Sequence, residues 1–302
     1  MSALPARTAD WVHALLPAGT EVVDVRRLAG GWTSRMRLLT TEGPDGTGVL
    51  VLRSFVDAFF RRHAPGLLAR EAGVLRLLRS TPVPAAELLG VDADGSRCDD
   101  PSLLMTLLPG RVCLDEAHPV LLARQLLAIH AVRPDERPRT YQPWTSAEQV
   151  RPPADGDERV WRAAVDVVAA PAPAYDGVFL HRDFHPGNVL LEDGRVSGVV
   201  DWVETSWGPA DLDVAHSATA LAVLHGAEQA QAFVASYVDL GGVLADPARH
   251  LYWRLLDTLA SAPDAEKTAG PWRELGRTDL TPDVVGRRLE DYVRLLLDTY
   301  RA

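Results

Sequence analysis

The sequence predicts an α+β fold in two parts, an N-terminal antiparallel sheet with one packed helix followed by a mainly helical C-terminal region. Three observations predict it. Short apolar runs separated by turn residues fill the first third of the chain, and apolar residues at helical spacing dominate the rest. Between the two regions, Leu108-Pro109-Gly110 interrupts any regular structure, which puts the expected division at residues 1–108 and 109–302. At 302 residues the chain can bury a sizeable core, and two lobes are expected rather than one.

In order along the chain, Thr8 is expected to cap a short amphipathic helix running through Leu16. Strands are predicted over 21–28, 35–41 and 49–54, with Gly43-Pro44-Asp45-Gly46 as the turn between the second and third. Leu67, Leu68, Val74, Leu75, Leu77 and Leu78 fall at helical spacing and predict a helix over 67–79, with Glu71 among them, stopped by Pro82 and Pro84. Two short strands follow at 87–91 and 102–106. Beyond the break, helices are predicted at 119–131 and 157–168, separated by a Pro- and Arg-rich irregular loop over 133–153. Four more are expected near 210–224, 227–240, 247–261 and 282–300. Asp246-Pro247 and Thr281-Pro282 each offer a capping residue followed by proline in the first helical turn.

Composition is that of an ordinary soluble protein, with 47% hydrophobic and 24% charged residues. The net charge of −10 argues against a nucleic-acid partner and is compatible with a cationic ligand. No apolar run approaches membrane-spanning length, and residues 1–10 lack the build of a secretory signal, so the cytoplasm is the expected location. Cys98 and Cys113 have no metal-site spacing and are expected to be small buried apolar residues. Lys267 is the only lysine, so nearly all the positive charge is arginine.

The most specific stretch is His181-Arg182-Asp183-Phe184-His185-Pro186-Gly187-Asn188, which follows the apolar segment 178–180. Asp201 ends a second apolar segment, 196–200, beyond an Asp193-Gly194 turn. Phosphoryl transfer needs a carboxylate facing the acceptor hydroxyl, an amide oxygen on a metal and a second carboxylate on that metal. His-Arg-Asp followed by four residues and Asn is the catalytic-loop pattern of kinases. On this reading Asp183 is the catalytic base, and Asn188 and Asp201 supply oxygen ligands suited to Mg²⁺. Taken singly, each of the three is an ordinary turn residue, and their spacing is what carries the reading. His181 and His185 have the spacing of a helical zinc pair, but Pro186-Gly187 opposes a helix there, and His181 is expected to pack beneath the loop. Asp211 and Asp213 fall in a first helical turn, where acidic residues are favoured, and Asp213 is a candidate to steady the loop from below.

Further candidates lie in the N-terminal part. In Ala29-Gly30-Gly31-Trp32-Thr33-Ser34 the glycines Gly30 and Gly31 let backbone N–H groups approach phosphate oxygens, and Thr33 and Ser34 add hydroxyl donors. Gly-Gly is equally a tight turn. Arg53 at a strand end and Glu71 on the next helix would form a cation–carboxylate pair that holds nucleotide phosphates. Arginine takes the place of the usual lysine there, keeping the charge on a bulkier fork of donors.

With these residues in place, the chain resembles the aminoglycoside phosphotransferase family, the small-molecule branch of the protein-kinase-like fold. The resemblance runs from about residue 21 to 224 and rests on several segments. They are Gly30-Gly31, Val51-Leu52-Arg53, Arg70-Glu71-Ala72, Leu104 through Gly110, His181 through Asn188, and Asp201-Trp202 with Gly208 and Asp213. It implies two lobes, with ATP or GTP as donor, Met105 to Leu108 (Met105 and Leu107 among them) along the adenine, Mg²⁺ on Asn188 and Asp201, and Asp183 as base. The acceptor is left open among aminoglycosides, macrolides, choline, homoserine, other amino alcohols and sugars. Asp257, Asp264 and Glu266 would suit a cationic acceptor, while Trp144, Trp161, Tyr252 and Trp253 would line an apolar or sugar pocket or fill core. The alternatives are a metabolic small-molecule kinase, a non-catalytic nucleotide-binding protein on the same fold, and a protein kinase. Against the last, the chain has Asp201-Trp202-Val203 where protein kinases carry Asp-Phe-Gly.

Overall fold

The computed structural model describes residues 3–28, 34–153, 155–262 and 264–300. The chain divides into two compact units, residues 1–110 with 197–203, and residues 111–196 with 204–302.

The first unit contains α1 (Ala6–Leu15), β1 (Glu21–Arg27), β2 (Arg35–Gly43), β3 (Gly46–Ser54), α2 (Ala58–Leu78), β4 (Leu88–Asp92) and β5 (Ser102–Thr106). Its five strands form an antiparallel sheet in the order β1-β2-β3-β5-β4. The β2–β3 hairpin pairs from Arg35 opposite Ser54 to Gly43 opposite Gly46. Gly46 closes it at φ 105°, a conformation that costs glycine little and other residues much. Side chains alternate across a strand. Leu50 and Leu52 of β3 therefore join Leu39 and Leu104 against Trp11 and Val12 of α1. The same alternation sends Val51 and Arg53 to the opposite face, and Arg53 meets α2 there.

Two helix starts differ from the sequence pattern. Thr8 does not cap α1. It is buried inside the helix, where its N–H and hydroxyl both bond Asp99 Oδ2, at 3.0 and 2.9 Å. The capping acceptor thus comes from a distant loop rather than from the preceding turn. Helix α2 begins at Ala58, well before the expected 67, with Asp57 Oδ1 accepting from Phe59 N at 2.9 Å. Pro65 inside it interrupts the helical pattern that a reader of the sequence sees, yet buried Ala64, Leu68, Ala72 and Leu75 hold the helix against the sheet. Of the two cysteines, Cys98 is buried as expected and Cys113 is partly exposed.

The second unit is mainly helical, with α3 (Pro119–His130), α4 (Glu158–Val168), α5 (Ala210–His225), α6 (Ala227–Asp239), α7 (Pro247–Ser261), α8 (Ala265–Glu274) and α9 (Pro282–Tyr300). The short strands are β6 (Arg111–Val112), β7 (Gly177–Leu180), β8 (Val189–Glu192), β9 (Arg195–Val199), which runs on into the 197–203 segment of the first unit, and β10 (Ser206–Pro209). Helix α5 is the core of the unit, in contact with α3, α6, α7 and α9. Its alanine-, leucine- and valine-rich sequence has no solvent-facing stripe, as a helix packed on all sides requires. From Ala210 to Leu224 every residue is buried except His216. Asp246 caps α7 as predicted, accepting from Arg249 N at 3.2 Å. Helix α8 was not expected, because Gly270 and Pro271 break its pattern and only Ala269 and Trp272 are buried. Asp264 nevertheless caps it through Lys267 N at 3.0 Å.

Strands β7 and β10 pair antiparallel, Leu180 opposite Ser206 and Gly177 opposite Pro209. β7 delivers the chain into the 181–188 loop, and β10 delivers it into α5, so loop and helix leave the same small sheet. The Asp193-Gly194 turn has both residues at positive φ, 50° and 73°, the conformation of a tight two-residue hairpin. No described helix is long and apolar enough to cross a membrane.

Candidate active site

In the first unit, Arg53 of β3 and Glu71 of α2 meet in the interior, with Nη1 3.0 and 3.2 Å from the two carboxylate oxygens. Their side chains are 3% and 2% exposed. The same Nη1 donates to Asp201 Oδ1 at 3.0 Å. Burial disfavours the arginine's charge, but Asp201 and Glu71 outweigh it and raise its pKa. Burial pushes the Glu71 carboxyl up against the opposing pull of Arg53. Arg53 Nε and Nη2 are buried and make no hydrogen bond among the described residues. Unfilled donors on a buried guanidinium fit an anionic ligand such as a phosphate. Asp201 itself stands at φ 65°, a left-handed conformation uncommon outside glycine, asparagine and aspartate. Of the other candidates here, Gly30, Gly31 and Thr33 lie outside the described residues. Ser34 is buried beside Met36 Sδ at 3.6 Å, Met105 is buried in β5, and Leu107 is 41% exposed.

In the second unit, the 181–188 loop is supported by one face of α5. Asp213 accepts the backbone N–H groups of His181 and Arg182, each at 2.8 Å. Ser217 donates to Phe184 O at 2.7 Å. Arg182 stands at φ 75°, a strained setting for a long side chain, and the Asp213 bonds hold it there. His181 is fully buried, as expected, and its Nδ1 accepts from Asp183 N at 3.2 Å. Asp211 serves structure, bonding His250 Nδ1 at 2.7 Å and Ala245 N at 3.1 Å.

Asp183 and Asn188 are brought together by this loop. Asn188 Nδ2 donates to Asp183 O at 2.9 Å and to Asp183 Oδ2 at 3.1 Å. With the amide nitrogen turned inward, Oδ1 is the Asn188 atom suited to a hard cation. Asp183 Oδ1 lies 3.0 Å from His216 Nε2 and 3.6 Å from His185 Nε2. Burial would raise the Asp183 carboxyl, but His185 and His216 more than reverse that and hold it well below the usual carboxylate range. A carboxylate held ionised is the result. Gly187 is required by its neighbours, since a Cβ there would meet the His185 ring at 2.9 Å and Trp272 at 3.1 Å.

Asp183, His185 and His216 place donor atoms within 4.8 Å of one another, a set that resembles a metal site. The hydrogen bonding opposes it. His185 Nδ1 accepts Gly187 N–H at 3.0 Å, so the neutral ring carries its proton on Nε2, the atom facing Asp183. A protonated Nε2 cannot ligate.

Sequence reasoning missed His216, the partners of Asp257 and the role of Arg182. The available signal was the helical spacing Asp213-x-x-His216, which puts both on the face beneath the loop. Three carboxylates weighed for a cationic acceptor have partners of their own. Asp257 is 3% exposed and engaged by His216 Nδ1 at 3.2 Å and Arg182 Nη1 at 3.5 Å. Asp264 caps α8, and Glu266 pairs with Arg273. Asp257 is enclosed by its partners, whereas Asp264 and Glu266 lie at the surface. Trp161, Tyr252 and Trp253 are buried core residues, whereas Trp144 is 40% exposed. One face of Trp144 carries the Arg182 guanidinium 3.8 Å from the ring centroid, and its ring stands edge-on to His216 at 5.0 Å.

Residues 24–253 match the model of the phosphotransferase enzyme family (APH). A search of curated proteins finds no match to this chain. Among solved structures, the ternary complex of a thermostable aminoglycoside phosphotransferase APH(4)-Ia mutant with ADP and hygromycin B is 20% identical. That similarity covers 91% of this chain and 94% of that one, with a TM-score of 0.58. The macrolide 2'-phosphotransferase MphH of Brachybacterium faecium is 17% identical over 92% and 96% of the two chains, with a TM-score of 0.55. An aminoglycoside-3'-phosphotransferase of type VIII is 22% identical over 84% and 100%, with a TM-score of 0.54. These likenesses establish the protein-kinase-like phosphotransferase fold.

Proposed function

The chain belongs to the phosphotransferase enzyme family, and on that premise we propose that it moves the γ-phosphate of ATP or GTP to a hydroxyl of a small molecule. Asp183 aims the acceptor hydroxyl and takes its proton. Arg53 gives its unfilled Nε and Nη2 donors to the nucleotide phosphates, and the Gly30–Ser34 segment adds backbone donors. Asn188 and Asp201 are the oxygen donors that would hold Mg²⁺. Bound magnesium neutralises phosphate charge and aligns the transferred group. Met105 and Leu107 lie along the adenine.

The observation that carries this reading is Asp183 itself. It is a carboxylate kept ionised by two histidines, with the amide nitrogen of Asn188 committed to it and the amide oxygen left for a cation. A site of this build works by positioning and electrostatics, which is what phosphoryl transfer requires.

For the acceptor, hygromycin B bound to one structural neighbour and the macrolide named for another keep both antibiotic classes in view. Asp257, enclosed by His216 and Arg182, does not argue for a cation. The exposed ring of Trp144 favours an acceptor with a sugar or apolar face. The test is a coupled assay of diphosphate release with ATP and GTP over aminoglycosides, macrolides, choline and amino alcohols. Expected are a Mg²⁺-dependent rate with one class and its loss in Asp183→Asn with nucleotide binding retained. Full activity in Asp183→Asn sinks the assignment.

A further inference from the structure

Helix α5 is packed on all sides, and a histidine in it has no packing reason to be there. His216 interrupts a run otherwise buried from Ala210 to Leu224, and its side chain is 18% exposed. Both ring nitrogens face carboxylates, Nε2 at 3.0 Å from Asp183 Oδ1 and Nδ1 at 3.2 Å from Asp257 Oδ1. Asp257 is in turn engaged by Arg182 Nη1 at 3.5 Å, and Arg182 is covered by Trp144. The His185 ring stands 5.6 Å from that of His216. One helix face therefore supports the loop three times. Asp213 takes its backbone N–H groups, Ser217 donates to its carbonyl at Phe184, and His216 reaches the Asp183 side chain.

We propose that His216 is a positioning residue for Asp183, resting on the phosphotransferase reading. Held by Asp257 through Nδ1, it fixes the direction of the Asp183 carboxylate through Nε2. A residue that orients a reacting group from behind acts on kcat more than on ground-state binding. In the transfer step the acceptor O–H bond breaks and its oxygen bonds to the γ-phosphorus. The bridging P–O bond breaks, and its electron pair leaves with the nucleoside diphosphate. The acceptor proton goes to the Asp183 carboxylate. His216 transfers nothing. It keeps one oxygen of Asp183 engaged so that the carboxylate cannot rotate away from the acceptor.

The experiment uses the full chain with Mg-ATP or Mg-GTP, water as the acceptor and diphosphate release as the readout. It compares the wild type with His216→Ala, His216→Asn and Asp183→Asn, each checked by thermal melting. His216→Ala is expected to lower kcat on the order of a hundredfold while the nucleotide KM stays near the wild-type value. His216→Asn, which keeps an N–H donor, and imidazole added to His216→Ala each restore part of the rate. Imidazole restores none in Asp183→Asn. A folded His216→Ala with wild-type kcat overturns the proposal alone. A loss that neither imidazole nor His216→Asn relieves assigns His216 to packing and overturns it as well. A wild type that releases no diphosphate, or an Asp183→Asn that releases it normally, overturns the phosphotransferase reading, and the proposal falls with it.

Discussion

Asp213 accepts the backbone N–H of Arg182 at 2.8 Å, pinning a residue that stands at φ 75°. The same carboxylate takes His181 N–H at 2.8 Å and faces His130 Nε2 at 3.3 Å. Burial would raise the Asp213 carboxyl, but His130 and its other neighbours lower it. Asp213→Ala leaves two buried N–H donors without acceptors, at about 1–3 kcal/mol each. The variant should lose stability in urea titration and lose turnover beyond the fraction unfolded, because the loop that bears Asp183 is no longer held. Unchanged stability would contradict the anchoring role.

The Arg53–Glu71 pair is buried on both sides, so breaking it costs more than keeping it contributes. Arg53→Ala leaves Glu71 as an uncompensated buried charge, at about 3–5 kcal/mol. Combining Arg53→Met with Glu71→Leu should recover most of that stability and none of the nucleotide affinity. Arg53→Lys keeps the charge but loses the fork, so nucleotide Kd should rise. Denaturant titration and nucleotide binding by calorimetry measure the two effects separately. A double variant that binds nucleotide like wild type would remove Arg53 from the phosphate site.

His216 sets a pH window for stability. Burial alone would lower its pKa, but Asp257 and Asp183 raise it from 6.5 to about 10. A pKa raised on folding stabilises fully below the unfolded value and loses that stabilisation as pH rises through the folded value. The stability advantage of wild type over His216→Asn should therefore be full below pH 6.5 and fade as pH climbs towards about 10. Paired denaturation curves across that range test it, and an advantage that grows with pH would be the wrong sign.

Trp144 offers an exposed ring whose orientation is held by Arg182. Trp144→Ala should raise the acceptor KM by an amount worth about 0.5–1.5 kcal/mol of lost aromatic contact. Trp144→Phe should keep most of it. Steady-state kinetics with the acceptor found in the panel decide the matter, and an unchanged KM in Trp144→Ala would place the acceptor elsewhere.

Much of the fold was legible because its signals are local. The Gly43-Pro44-Asp45-Gly46 hairpin and the Asp246-Pro247 helix start rest on residues adjacent in sequence. The start of α2 and the whole of α8 were not legible, since each contains a proline that local reasoning treats as a stop. Tertiary packing overrides that preference.

By itself the sequence determined most of the strands and helices of the N-terminal sheet and the main helices after it, the family pattern and the spacing that joins Asp183 to Asn188. Those follow from periodicity, turn chemistry and short-range spacing. Only the tertiary structure decided that Thr8 takes its cap from Asp99, that Arg53 meets both Glu71 and Asp201, and that Asp257 is spent on Arg182 and His216 rather than offered to a ligand. In each case the partners are far apart in sequence and meet because buried charges and N–H groups must find partners within the folded interior. A linear pattern does not record which distant residue supplies them.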